Sequence, residues 1–186
     1  MRLKKMVYVS MFATIMGALG VVPPIFLGVS PVPITLQTLG VMLSGSVLGA
    51  RLGPKYAAFS QILFLLLVMT GLPLLSGGRG GIGVFFSPSG GYLMGWVVGA
   101  YMIGYLSYRM KNVSFVKVLL VNIFGGILVV YLLGIPIQAF MMNIPIAKTV
   151  ILSLVYLPGD FMKVIFASLL AVKLQKSIPI SEKLEA

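Results

Sequence analysis

The sequence contains no cysteine and no histidine, and its acidic residues are limited to Asp160, Glu182 and Glu185. Without thiols or imidazoles there is no disulfide, no His-ligated haem, no Cys/His zinc site and no Cys- or His-based nucleophilic catalysis. Hard-cation cages and acid–base pairs need two carboxylates in one place. Glu182 and Glu185, however, sit in a C-terminal tail beside Lys183. The chain is therefore not read as an enzyme, and no metal or cofactor is expected. A G-x-x-x-x-G-K-[ST] phosphate loop is also missing, so any nucleotide-derived energy must come from a partner. Charged residues as a whole make up 9% of the 186 positions, against roughly 25% in soluble domains.

What fills the chain instead is apolar: 59% of residues are of the AVILMFWYC set, and mean hydropathy is +1.09. Lipid is the solvent that suits such a surface. At about 20 residues per span, six helices fit with loops to spare and twelve do not. The apolar runs are continuous, whereas a transmembrane barrel needs short alternating segments. Spans are predicted at Met6–Val22, Leu36–Ala50, Tyr56–Leu72, Gly90–Tyr108, Val116–Leu133 with an extension toward Met142, and Pro158–Lys173. The expected fold is an all-α integral membrane protein, a six-helix bundle forming one transmembrane domain over 1–186. The N-terminal run resembles a signal peptide in its basic flank, but no small-x-small cleavage site follows, and it is read as an uncleaved first span.

The +11 net charge is spread singly between apolar segments, which argues against nucleic acid and for a topology signal. With the N-terminus inside, eleven of the fourteen cations fall on the cytoplasmic side and only Arg79 and Lys148 outside, with Lys163 inside a span. That asymmetry places both termini in the cytoplasm.

Inside connections are short and basic. The outside ones, Pro23–Thr35, Pro73–Ser89 and Asn143–Leu157, are longer, apolar and rich in Pro and Gly. Their backbone cannot lie bare in lipid, so they should fold over the outer end of the bundle and enclose a cavity there. Gly78-Arg79-Gly80-Gly81-Ile82-Gly83 matches the G-x-G-x-x-G dinucleotide pattern. It lacks the following helix and the acid about 20 residues on, and nucleotide binding is set aside. Gly91, Gly95 and Gly99 share one face of the fourth span, a seam for close helix approach, read as packing within the chain in preference to a dimer contact. Ser10, Ala13, Thr14, Gly17 and Ala18 form two overlapping small-residue ridges on the first span, suited to internal packing or to a partner.

The segment Pro158-Gly159-Asp160-Phe161-Met162-Lys163 carries the sharpest signal. Proline fits the first turn of a helix, and Asp160 then lies where the helix dipole favours an anion. Lys163, three residues on, shares its face. Intramembrane ionisable residues are costly and mark function. The pair either closes on itself as a structural ion pair or meets a ligand that has both donors and acceptors.

Val32-Pro33-Ile34-Thr35-Leu36-Gln37-Thr38-Leu39, Gly71-Leu72-Pro73 with Gly77-Gly78-Arg79-Gly80-Gly81, Ser87-Pro88-Ser89-Gly90-Gly91-Tyr92, and Leu157-Pro158-Gly159-Asp160-x-x-Lys163 closely resemble, in the same order, the BioY family. These are the biotin-binding S-components of bacterial and archaeal energy-coupling factor importers. Only the tract Pro136–Ile151 departs from the pattern. The resemblance implies a cell-membrane protein that binds biotin near its outer face and works with a transmembrane T-component and two ATP-binding subunits. It implies that Asp160 and Lys163 hold the ureido ring, with Thr35, Gln37, Ser89 and Tyr92 as polar or stacking groups and Gly90 and Gly91 allowing close approach. Arg79 is a candidate for the valerate carboxylate and Lys163 another, leaving the ligand's orientation open. The first-span face of Ser10, Ala13, Thr14 and Gly17 is implied as the T-component docking surface. Readings from other classes are a membrane scaffold with a structural Asp160–Lys163 pair and a proton-coupled carrier with a minimal relay.

Overall fold

The computed structural model of the protein describes residues 2–177 apart from Leu27 and Val29. Glu182, Lys183 and Glu185 lie outside the described residues. Within them the chain is all-helical, and extended backbone pairs only at two isolated bridges, Ile25–Ile34 and Leu75–Arg79.

Six helical rods follow one another. Helix α1 is Arg2–Gly20. Helix α2 runs from Gln37–Leu43 through a π-helical turn, Ser44–Gly49, into Ala50–Leu52. Gly53, at φ 106°, breaks the chain, and Pro54 opens α3, Pro54–Met69. Proline suits that position because a first-turn amide has no helical acceptor. A short 3-10 turn, Ile82–Phe86, precedes α4, Gly90–Tyr108. Helix α5, Phe115–Met142, is capped by the Ser114 hydroxyl, contains a second π-helical turn, Phe124–Val129, and ends at Asn143 in the left-handed conformation. Helix α6 spans Ile146–Ser177 with a 3-10 turn at Leu154–Tyr156. Among the described residues, two helices, α5 and α6, are long and apolar enough by length and composition to cross a membrane.

The predicted spans coincide with these rods, with two differences. The fifth reaches Met142 in full, although Pro136 lies inside it. The third outer connection is not a loop, because residues 146–156 are helical and run straight into the segment that begins at Leu157. Pro158 still marks a start: it sits in the first turn after the 3-10 distortion, where its missing amide is tolerated.

Helix α4 lies at the centre, against α2, α3 and α5; α1 packs on α3 and α2, and α6 on α2 and α5. The glycine seam of α4 explains this. A methyl on Gly91 would sit 2.6 Å from the Leu133 carbonyl oxygen, one on Gly95 3.0 Å from Val130, and one on Gly99 2.6 Å from the Gly125 carbonyl. All three contacts are with α5, so the seam is intrachain packing. Both π turns meet α4 at one side chain, Ile103, which lies against Gly45 and Gly125. Small residues let backbones approach closely where lipid supplies no hydrophobic drive for helix association.

Cations gather at one end. Lys5 lies 5.4 Å from the Tyr56 ring centroid, joining the starts of α1 and α3. Arg51 donates to the Leu174 carbonyl at 2.8 Å, joining the ends of α2 and α6. The described residues of the first outer connection, 21–26, 28 and 30–36, together with 70–89, cover the opposite end.

Candidate ligand-binding site

At the covered end the structure forms a partly open cavity of about 60 Å³. Thr35 and Gln37 reach it from the start of α2, Arg79 from the α3–α4 connection, Ser89 and Tyr92 from the start of α4, and Asp160 and Lys163 from α6. Seven of the residues proposed from sequence thus share one space. Trp96, Tyr131, Tyr156 and Thr38 complete its polar and aromatic wall.

The charged pair is buried, with Asp160 5% and Lys163 6% exposed. Lys163 Nζ donates to Asp160 Oδ1 at 2.8 Å and to Thr38 Oγ1 at 3.0 Å. Tyr131 donates its hydroxyl to Asp160 Oδ2 at 2.6 Å. An ammonium has three donors and a carboxylate about four acceptor sites, so each partner keeps capacity for a ligand. Thr38 and Tyr131 were not singled out from sequence. Their signal was weak: Thr38 stands one turn from nothing charged in its own helix, and Tyr131 is one apolar-run aromatic among many.

Arg79 is half-buried, and the Leu75–Arg79 bridge holds it by two backbone hydrogen bonds of 3.0 and 3.2 Å. Its Nε donates to the Ser76 carbonyl at 3.2 Å. Burial lowers its pKa from the ordinary value, but a guanidinium stays charged. Asp160 and Lys163 cancel, so Arg79 leaves the cavity with one surplus positive charge.

A second polar network lies alongside. Tyr92 donates to Gln138 Oε1 at 2.7 Å and lies 3.2 Å from the Ser153 hydroxyl. Gln138 Nε2 donates to Ser30 Oγ at 3.0 Å, and the Tyr156 hydroxyl donates to the same oxygen. Tyr92 therefore offers its ring to the cavity while its hydroxyl ties α4 to α5 and α6. The ring meets Tyr131 edge-on at 6.0 Å.

The structure places three groups of these residues otherwise than expected. Gly90 and Gly91 do not line the cavity: a methyl on Gly90 would strike the Phe85 backbone, and Gly91 is pressed against α5. The smallness of Gly91 serves helix packing, and that of Gly90 lets the 3-10 turn fold back onto the start of α4. Gln37 borders the cavity but is 1% exposed, with both amide hydrogens donated to, and its oxygen accepting from, the protein's own backbone. On α1, Ala13 is 3% exposed and belongs to the core, and Gly17 is partly covered by Leu74. Ser10, Thr14 and Ala18 are the exposed small residues. Helical rotation separates the two ridges, and sequence spacing alone did not say which faced outward. The G-x-G-x-x-G match leads into a 3-10 turn, not a strand–helix junction.

A sequence model of the BioY family matches residues 1–180. The chain is 44% identical over 182 residues to a probable biotin transporter BioY of Bacillus subtilis (strain 168), covering 98% of this chain and 96% of that one. It is 44% identical over 186 residues to a biotin transporter BioY of Rhizobium etli, covering 97% of each. Among solved structures it is similar to the S-component for biotin from an ECF-type ABC transporter, with TM-score 0.87, 34% identity, and coverage of 94% of this chain and 92% of that one.

Proposed function

The chain belongs to the BioY family, and from that premise we propose that it is the biotin-binding membrane component of an ECF-type importer. It takes biotin at the covered end of the bundle and delivers it inward with a T-component and two ATP-binding subunits. It is not an enzyme, and biotin is its cargo.

The observation that carries the site assignment is the charge pattern of the cavity: a self-cancelling Asp160–Lys163 pair with Arg79 as the one surplus cation. Biotin has the complementary groups. Its ureido ring has two N–H donors and an oxygen acceptor, which suit the free acceptor capacity of Asp160 and the remaining donor of Lys163. Its carboxylate suits the Nη groups of Arg79, which can bind it bidentately. Low local dielectric strengthens both sets of bonds. Thr35 and Ser89 present hydroxyls to the same space. In this orientation the ring lies deep against α6 and the tail points to the α3–α4 connection.

We further infer six membrane crossings with both termini cytoplasmic. Support comes from the concentration of Lys and Arg at the end opposite the cavity, as the positive-inside rule requires. Partner docking is assigned to the exposed ridge of Ser10, Thr14 and Ala18, with Gly17 at its edge.

Biotin binding to the purified chain in detergent without ATP tests the function. Tight binding is expected. A scaffold with a structural ion pair would show none, and a proton-coupled carrier would accumulate biotin under a pH gradient in vesicles holding this chain alone.

A further inference from the structure

Gln37 is an amide with every polar atom committed. Its Nε2 donates to the Met16 carbonyl of α1 at 3.2 Å and to the Leu74 carbonyl at 3.1 Å, and its Oε1 accepts from the Ser76 amide at 3.2 Å. The Ser76 carbonyl in turn accepts from Arg79 Nε. Met16, Gln37, Ser76 and Arg79 are thus joined by consecutive contacts from the core side of α1 to the guanidinium at the cavity. Gly20 completes the clamp, because the Leu74 carbonyl packs where a side chain on residue 20 would stand. A buried amide with unfilled capacity is costly, so this side chain resists any shift of the 71–81 segment relative to α1.

We propose that Gln37 is a positioning residue: it fixes Arg79 toward the ligand's anionic group by clamping the α3–α4 connection to α1, and forms no hydrogen bond to the ligand itself. The proposal rests on the reading that Arg79 pairs with the biotin carboxylate. It assigns part of the ligand affinity to the seating of the α3–α4 connection on α1.

The test compares binding of biotin with binding of biotin amide, which keeps the fused rings and lacks the negative charge. Affinities are measured by calorimetry on the purified full chain and on Gln37→Met, Gly20→Ala, Arg79→Gln and the Gln37→Met/Arg79→Gln double variant. Gln37→Met keeps the volume and removes the three hydrogen bonds. Gly20→Ala displaces the Leu74 carbonyl and crowds Gln37 Nε2, 2.9 Å from the added methyl, and so loosens the same clamp without replacing any cavity residue. Each should weaken biotin about tenfold while leaving the amide within about twofold, the size expected for a displaced charge-assisted hydrogen bond. The double variant should bind biotin no more weakly than Arg79→Gln. Equal losses for both ligands, additive losses in the double variant, or no loss at all would overturn the proposal. Should Gln37→Met fail to fold, Gly20→Ala decides by the same criteria. If Arg79→Gln does not change the preference for biotin over its amide, the carboxylate assignment falls first and the positioning role with it. If Arg79→Gln abolishes that preference while Gln37→Met and Gly20→Ala keep it, only the positioning role falls.

Discussion

Asp160 accepts from a cation and from a phenol at once, and this decides how each can be probed. In Asp160→Asn the negative charge is lost, and Lys163 stays buried with only neutral acceptors, Thr38 among them. Biotin affinity should fall by on the order of 2–4 kcal/mol, or about 30- to 1000-fold. Unchanged affinity would remove Asp160 from the site, whereas a lower melting temperature with binding retained would make the pair purely structural. Tyr131→Phe is milder. It removes the 2.6 Å bond to Oδ2 and keeps the ring that meets Tyr92. A loss of about 1.5 kcal/mol, close to tenfold in dissociation constant, is expected by equilibrium binding. An increase in affinity would instead mean that the phenol competes with the ligand for Asp160.

Helix α1 presents two chemically similar ridges with opposite surroundings. Thr14 is exposed, and its hydroxyl bonds to the Ser10 carbonyl within the helix, so Thr14→Trp should leave the bundle and biotin binding intact. If this ridge meets the T-component, the same change should hold the partner helix away and prevent co-purification of the complex. Ala13→Trp tests the other ridge. Ala13 packs in the core cluster with Met16, Val41 and Phe64, and overpacking there should cost about 1–3 kcal/mol of stability in a thermal melt. A complex that survives Thr14→Trp, with binding and stability normal, would move docking off this face.

Across the whole molecule, the described residues include one acid, Asp160, and it is already held by Lys163 and Tyr131. A proton-driven cycle needs a titrating relay through the bundle, and the sequence has no phosphate loop. Proteoliposomes containing this chain alone and no ATP should therefore bind biotin without concentrating it, whatever pH gradient is imposed. Concentrative uptake of labelled biotin under a gradient would assign the chain its own energy source. Uptake that appears only on adding the partner subunits and ATP is the expected result.

The rods were legible in sequence because lipid demands long apolar stretches with satisfied backbone, and loops announce themselves through Pro, Gly and charge. The Asp160–Lys163 pair was legible for the same reason: an acid and a base three residues apart stand out where charge is rare. The continuation of helix through residues 146–156 was not, since its apolar residues fit a folded-back loop equally well. Nor did sequence separate Gly90 and Gly91, which pack against the 3-10 turn and α5, from their neighbours Ser89 and Tyr92, which border the cavity. Gln37 read as a ligand contact because it is a polar residue in a telling motif, and only the positions of Met16, Leu74 and Ser76 show its amide to be filled. Composition and the length of the apolar runs fix which stretches can cross lipid as helices. Which polar group has capacity left for a ligand depends on distances between residues far apart in the chain, and those are set only when the helices pack.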